Sequence, residues 1–272
     1  MPKSTLFFRK VKLKILEANI GLVYLFLYMP IFAVVVFSFN SGEQISVWEG
    51  FTFSWYARLF EDAALWRACR NSLMVAGVAT VIATVIGTAA ALAIERHRFR
   101  FRSALVRTLY LPIIIPDIVL AIALLTFYVQ VRIPLGLITV IIAHAVFNIA
   151  YVTIVVRARL QGYDHTLEEA ARDLGANEWQ TFWRITLPLI APGIIGGALL
   201  AFTLSIDDFV ITFFTAGVGY TTLSVHIYSL LKFGITPKIN AISTMLLANS
   251  IVFILLFLWF QGGATASEKQ KT

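Results

Sequence analysis

The chain has 272 residues, of which 59% are hydrophobic and only 14% charged. Water-soluble domains carry roughly 25% charged residues, so a soluble globular protein is excluded and an integral membrane protein is indicated. The formal net charge of +7 would suit nucleic acid, but the basic residues gather in alternate connections between apolar runs, a topology signal that excludes that partner. Six runs approach the ~20 residues needed to cross a hydrocarbon core: Ile20–Phe39, Ser72–Ile94, Leu109–Val131, Leu135–Val156, Leu189–Thr215 and Ile242–Phe260. The expected fold is therefore all-α, a polytopic membrane protein with six transmembrane helices.

The domain division follows these runs: a basic leader at 1–19, a transmembrane domain at 20–260 and a tail at 261–272. The first run is long for a signal-peptide core and no clear small-x-small cleavage site follows it, so it reads as an uncleaved span. The connection 40–71 carries Trp48, Phe51, Phe53, Trp55, Tyr56 and Trp66, aromatics that favour the membrane interface. The second run is dense in Ala, Gly, Thr and Ser, so Gly77 and Gly87 are expected to let helices pack closely. Arg96, Arg98, Arg100 and Arg102 then form an alternating basic stop suited to lipid headgroups.

The third run opens on Leu111, Pro112, Pro116 and Asp117, and the fifth on Leu187, Pro188, Pro192 and Gly193. Proline removes a helical hydrogen bond, so both helices are expected to kink or break near these residues. Arg132, Ile133 and Pro134 make a short turn between the third and fourth runs. His144 and Asn148 lie four apart on the fourth, placed for hydrogen bonds between helices. The residues from Val225 to Phe233 read as a short re-entrant or interfacial helix. The lone cysteine, Cys69, excludes an intramolecular disulfide.

Between the fourth and fifth runs lies a hydrophilic gap, Thr166 to Pro188, that predicts two short amphipathic helices with a tight turn. Thr166 and Glu169 form a capping-box pattern, as do Asn177 and Gln180. Leu167, Ala170, Ala171 and Leu174 make one apolar stripe. Gly175 stands where a helix exit requires positive φ, and Trp179, Phe182 and Trp183 add a bulky apolar surface. Sixteen Lys and Arg residues fall on the side of this hairpin and both termini, against six on the other. That bias places the hairpin and both termini in the cytoplasm.

Carboxylates within apolar runs are costly and normally face a cavity or a partner. Asp207 and Asp208 diverge by about 100° on a helix, so one is expected to line a pathway while the other binds a helix terminus or neighbour. Asp117 is expected to cap the backbone opened by Pro116 or to touch the same pathway from the cytoplasmic side. These acids, with no base inside the runs, tilt the cargo toward a cation. An ion-coupled secondary transporter is a rival, although it leaves the hairpin without a role. A membrane-embedded enzyme would need a catalytic or metal constellation, and the spacing of the acids and histidines supplies none. No phosphate-binding G-x-x-x-x-G-K-[S/T] loop is present.

The run Glu169-Ala170-Ala171, then Gly175, then Ile185-x-Leu187-Pro188 resembles the EAA pattern of ABC-importer permease subunits, with its spacing met without a gap. YMPIFAVVVFSFN, LPIIIPDIV, LSIDDFVITFFTAG and TTLSVHIYSLLKFGITPKINA are similar to the second permease subunit of spermidine/putrescine importers. The resemblance implies a bacterial inner-membrane permease whose cytoplasmic coupling loop, 157–188, docks on an ATPase through Glu169, Ala170, Ala171, Gly175, Leu187 and Pro188. It implies a homologous permease partner, two cytoplasmic ATPase subunits, a soluble solute-binding protein outside, and surrounding lipid. ATP and Mg are then used by the ATPase, with no cofactor bound by this chain. The implied cargo is spermidine or putrescine, with ferric iron or another organic solute as the alternative. Asp207, Asp208 and Asp117 are the candidate pathway residues.

Overall fold

The computed structural model describes residues 3–43, 47–162, 164, 166–234 and 236–252. Its regular elements are α1 (Lys3–Phe37), α2 (Ser54–Phe60), α3 (Ala63–Arg96), α4 (Arg102–Ile114), α5 (Asp117–Gln130), α6 (Leu137–Gln161), α7 (Thr166–Asp173), α8 (Glu178–Thr181), a π turn (Phe182–Thr186), α9 (Leu187–Asp207), α10 (Val210–Thr215) and α11 (Leu223–Phe233). Residues 237–252 are also helical. Among the described residues the only strand-like pairing is an isolated bridge, Asn40 with Phe51.

The all-α, multi-pass architecture agrees with the apolar pattern, but the number of spans does not. Among the described residues four helices are long and apolar enough to cross a membrane, or five if one bent pair counts as a span, not six. The third expected span is that bent pair, α4 and α5, which meet at 111°. Pro116 is the cause: its ring holds Ile115 extended, at φ −74° and ψ 133°, and ends α4. Of the sixth expected span, residues 253–260 lie outside the described residues, as does the expected tail at 261–272.

The fifth expected span is displaced as well. The chain runs as one continuous helix from Glu178 to Asp207, passing through Pro188 and Pro192 without a break. The wide π turn at Phe182–Thr186 immediately precedes Pro188, loosening the backbone where the proline ring would otherwise crowd a carbonyl. The break comes instead at Asp208, which is extended at ψ 127°.

Two compact units divide the chain. One joins Met1–Ala63 to Ser229–Thr272. Within it Asn40 closes the loop after α1, donating from Nδ2 to the Val47 carbonyl at 2.7 Å and accepting from Glu49 N at 2.9 Å. Phe39 stacks on Phe51 at 5.2 Å between centroids, and Trp55 Nε1 donates to the Asn40 carbonyl at 2.8 Å. Lys238 bonds Asp62 at 2.7 Å.

The other unit, Ala64–Tyr228, is built on α6. Just over half of α6's apolar window is buried, 56%, against none of α1's, which makes α6 the central helix. Ala83 and Ala91 of α3 meet Val152, Val156 and Leu160 of α6, with Ile190 and Ala201 of α9 completing the cluster. Gly87 permits that approach: a Cβ there would lie 2.8 Å from Val152 Cβ. Gly77, expected to do the same, faces nothing within 4 Å. A second cluster joins Ala121 of α5, Ala143 and Phe147 of α6 and Ile211 of α10. His144 makes its expected bonds between helices, but Asn148 does not: both of its amide atoms are buried without a hydrogen-bond partner among the described residues.

Candidate functional site

Two constellations in the second unit gather the candidate residues. The first is the hairpin after α6. Its α7 begins at Thr166, one step before the sequence pattern suggests, and Asp164 Oδ1 accepts from the Thr166 amide at 3.0 Å. Its end is a paired cap, with Gly175 N donating to Arg172 O at 2.8 Å and Ala176 N to Ala171 O at 3.0 Å. Gly175 sits at φ +89°, a conformation that costs glycine little. The following capping box is as expected, Asn177 N to Gln180 Oε1 at 3.1 Å and Gln180 N to Asn177 Oδ1 at 2.8 Å.

The apolar stripe of α7 points outward. Leu167 is 45% exposed and Leu174 90%, Glu169, Ala170 and Gly175 are exposed, and Ala171 is half-buried. Trp179 and Trp183 extend this surface, their rings in edge contact at 5.5 Å. Leu187 and Pro188 lie at the root of the hairpin, half-buried and exposed respectively. An apolar face of this kind on a short helix indicates a protein partner.

The residue that turns inward is Glu168, the one buried residue of α7. It pairs with Arg96 at the end of α3 and accepts from Thr186 Oγ1 at 2.6 Å. Arg96 Nη2 also donates to Thr186 Oγ1, at 2.9 Å. Sequence reading missed this trio. Arg96 is 72 positions from Glu168, and the spacing within α7 marks the neighbouring Glu169 instead.

The second constellation joins the two helix breaks. A cavity of about 330 Å³ is lined by Pro112, Asp117, Tyr151, Thr203, Asp207 and Asp208, among others. All three candidate acids thus reach one space, although Asp117 and the Asp207–Asp208 pair belong to different apolar runs. Irregular backbone at membrane depth is tolerated where it lines a cavity, and both breaks do so here. Asp117 stands exposed in the first turn of α5, a start without a side-chain cap, where its charge complements the helix dipole.

Asp207 and Asp208 differ. Asp207 is exposed. The Asp208 side chain is only 9% exposed and caps α10, accepting from Ile211 N at 3.2 Å and Thr212 N at 2.8 Å. It also accepts from Thr212 Oγ1 at 2.9 Å and lies 3.2 Å from His144 Nε2. His144 is fully buried, with Nδ1 2.6 Å from Ser205 Oγ and Nε2 2.9 Å from Thr212 Oγ1. One assignment satisfies every group: Ser205 donates to Nδ1, and Nε2–H points to Thr212 and Asp208. Asp208 is therefore held by the fold, while Asp117 and Asp207 leave their charge to the cavity. Among the described residues no three of His, Cys, Asp and Glu stand close enough to hold a metal ion.

A family profile described as "Binding-protein-dependent transport system inner membrane component" matches residues 83–265, which include both constellations. The chain belongs to this family. It is a permease component of an ABC importer, a translocating rather than a catalytic subunit. This permease is 40% identical over 240 residues to the spermidine/putrescine transport system permease protein PotC of Haemophilus influenzae, covering 88% of this chain and 93% of that protein. It is 38% identical over 255 residues to the putrescine transport system permease protein PotI of Escherichia coli, covering 91% and 90%. Its fold matches that of a bacterial ABC transporter involved in the import of the acidic polysaccharide alginate, with a TM-score of 0.71 at 19% identity, over 96% of this chain and 99% of that one. At that identity the likeness concerns the fold alone.

Proposed function

We propose that this permease moves a small organic cation of the polyamine class, spermidine or putrescine, by alternating access. It works with a homologous permease, two ATPase subunits and a soluble binding protein that delivers the cargo. The observation that carries the cargo reading is the convergence of Asp117, Asp207 and Asp208 on one cavity at the two helix breaks. Two of these acids are exposed, which suits passage of a polyamine chain without tight capture. The relatives named for spermidine and putrescine support the same cargo.

In this reading the hairpin and both termini lie in the cytoplasm, as the distribution of Lys and Arg favours. The outward stripe of Leu167, Ala170 and Leu174, with Glu169 and the Gly175 turn, docks on the ATPase. Leu187 and Pro188 begin the helix that carries its motion toward the cavity. ATP-driven closure of the ATPases displaces the hairpins and opens the cavity to the binding protein, and hydrolysis resets it.

Uptake of labelled spermidine and putrescine tests this in cells lacking the chain and restored with the native sequence or Ala170→Asp. The native form is expected to restore uptake and to co-purify with the ATPase, and the variant to do neither, because a carboxylate is set on the exposed docking face. Native complementation without polyamine uptake contradicts the cargo assignment. Full activity of the variant contradicts the docking assignment.

A further inference from the structure

With the stripe of α7 turned outward, Glu168 is the one residue of that helix that is buried, so its inward contact is a polar one. That contact is the trio Arg96, Glu168 and Thr186, which joins three elements: the end of α3, α7, and the π turn that leads into α9. It is closed, since each member bonds the other two. Thr186 is fully buried, and the side chains of Arg96 and Glu168 are 26% and 10% exposed. Charge-assisted bonds in such surroundings fix distance and direction in a way that apolar contacts, which slide, do not.

The residue before Arg96 faces another helix. Glu95 Oε1 accepts from Arg157 Nε at 2.8 Å and from Gln161 Nε2 at 3.3 Å, both in α6. The last turn of α3 is thereby fastened to the hairpin on one side and to the central helix on the other. A polar cavity of about 390 Å³, lined by Glu95, Arg96, His97, Glu168, Arg172 and Glu178, among others, lies beside the trio. Two ion pairs, Arg96–Glu168 and Arg157–Glu95, thus stand at this end of α3.

We propose that Arg96 is a positioning residue of the transport cycle, which through Glu168 and Thr186 makes α3 follow the hairpin. The inference rests on the reading of the hairpin as the element that docks on the ATPase. The hairpin is already covalently continuous with α9 through the π turn, whereas α3 is linked to it by side chains. Without Arg96, α9 moves with the ATPase and α3 lags, so ATP is hydrolysed without a matching opening of the cavity.

The test uses the complete importer in proteoliposomes, scoring ATP hydrolysed per labelled spermidine imported and co-purification of the ATPase. Native, Arg96→Gln, Arg96→Lys and the exchange Arg96→Glu with Glu168→Arg are compared, with Ala170→Asp as the docking control. Arg96→Gln is expected to keep the ATPase and to raise the ATP-to-spermidine ratio about tenfold. Arg96→Lys and the exchange are expected to restore much of the coupling, which a purely steric role would not allow. A ratio within about twofold of native in Arg96→Gln, with the complex intact, overturns the proposal and leaves the docking reading standing. Failure of both Arg96→Gln and Arg96→Lys to assemble also overturns it, assigning Arg96 to folding alone. Retention of the ATPase by Ala170→Asp removes the docking reading and the proposal together.

Discussion

Asp207 and Asp208 are identical in type and adjacent in sequence, yet their surroundings give them different work. Asp208 closes the first turn of α10 and approaches buried His144, whereas Asp207 is exposed and lines the cavity. Asp208→Ala removes the cap and one of the two acceptors facing His144 Nε2, a loss of about 1–2 kcal/mol. Thermal unfolding of the purified protein is expected to show a lower midpoint for Asp208→Ala and an unchanged one for Asp207→Asn. Equal midpoints would contradict the assignment of roles. The sequence showed that the two acids diverge, because helical geometry alone requires it. It did not show which one turns inward, because that depends on His144 and Thr212, brought in by folding. Glu168 is the same case: its burial follows from Arg96 and Thr186, neither of which lies within α7.

Among the elements, apolar runs marked the membrane helices, and capping residues marked the hairpin turn. The ends of the third and fifth runs were less legible. Pro116 announced a break, and a break of 111° is found. Pro188 and Pro192 carried the same local signal and produced none: a π turn precedes Pro188, and the helix continues through both. The break at Asp208 has no proline to announce it. Glycines were equally ambiguous: Gly77 and Gly87 share a helix and a composition, but only Gly87 meets another helix. Gly87→Leu forces α3 away from Val152 and is expected to destabilise by about 1–3 kcal/mol. Gly77→Leu adds a side chain in open space and is expected to leave stability near native. Thermal unfolding of the two variants checks this, and equal losses would contradict the α3–α6 contact described.

For the whole molecule, the hairpin and the acid cavity are linked by one helix. Residues 178–207 run from the tryptophans of the hairpin to Asp207, so force applied at one end has a continuous helical route to the other. This arrangement gives the permease a division of labour. An apolar face is proposed to receive the ATPase, a charged trio joins α7 to the end of α3, and two helix breaks place carboxylates around a cavity. In the proposed cycle these carboxylates carry the cation. The most direct test is the maximal rate of ATP-driven uptake, under saturating binding protein, for native permease and for Asp117→Asn combined with Asp207→Asn. Both substitutions neutralise exposed acids without touching the Asp208 cap. A fall of roughly tenfold or more is expected for spermidine and a smaller fall for putrescine, which has one amine fewer to be balanced. Unchanged rates for both polyamines, in a complex that still assembles and hydrolyses ATP, would contradict it.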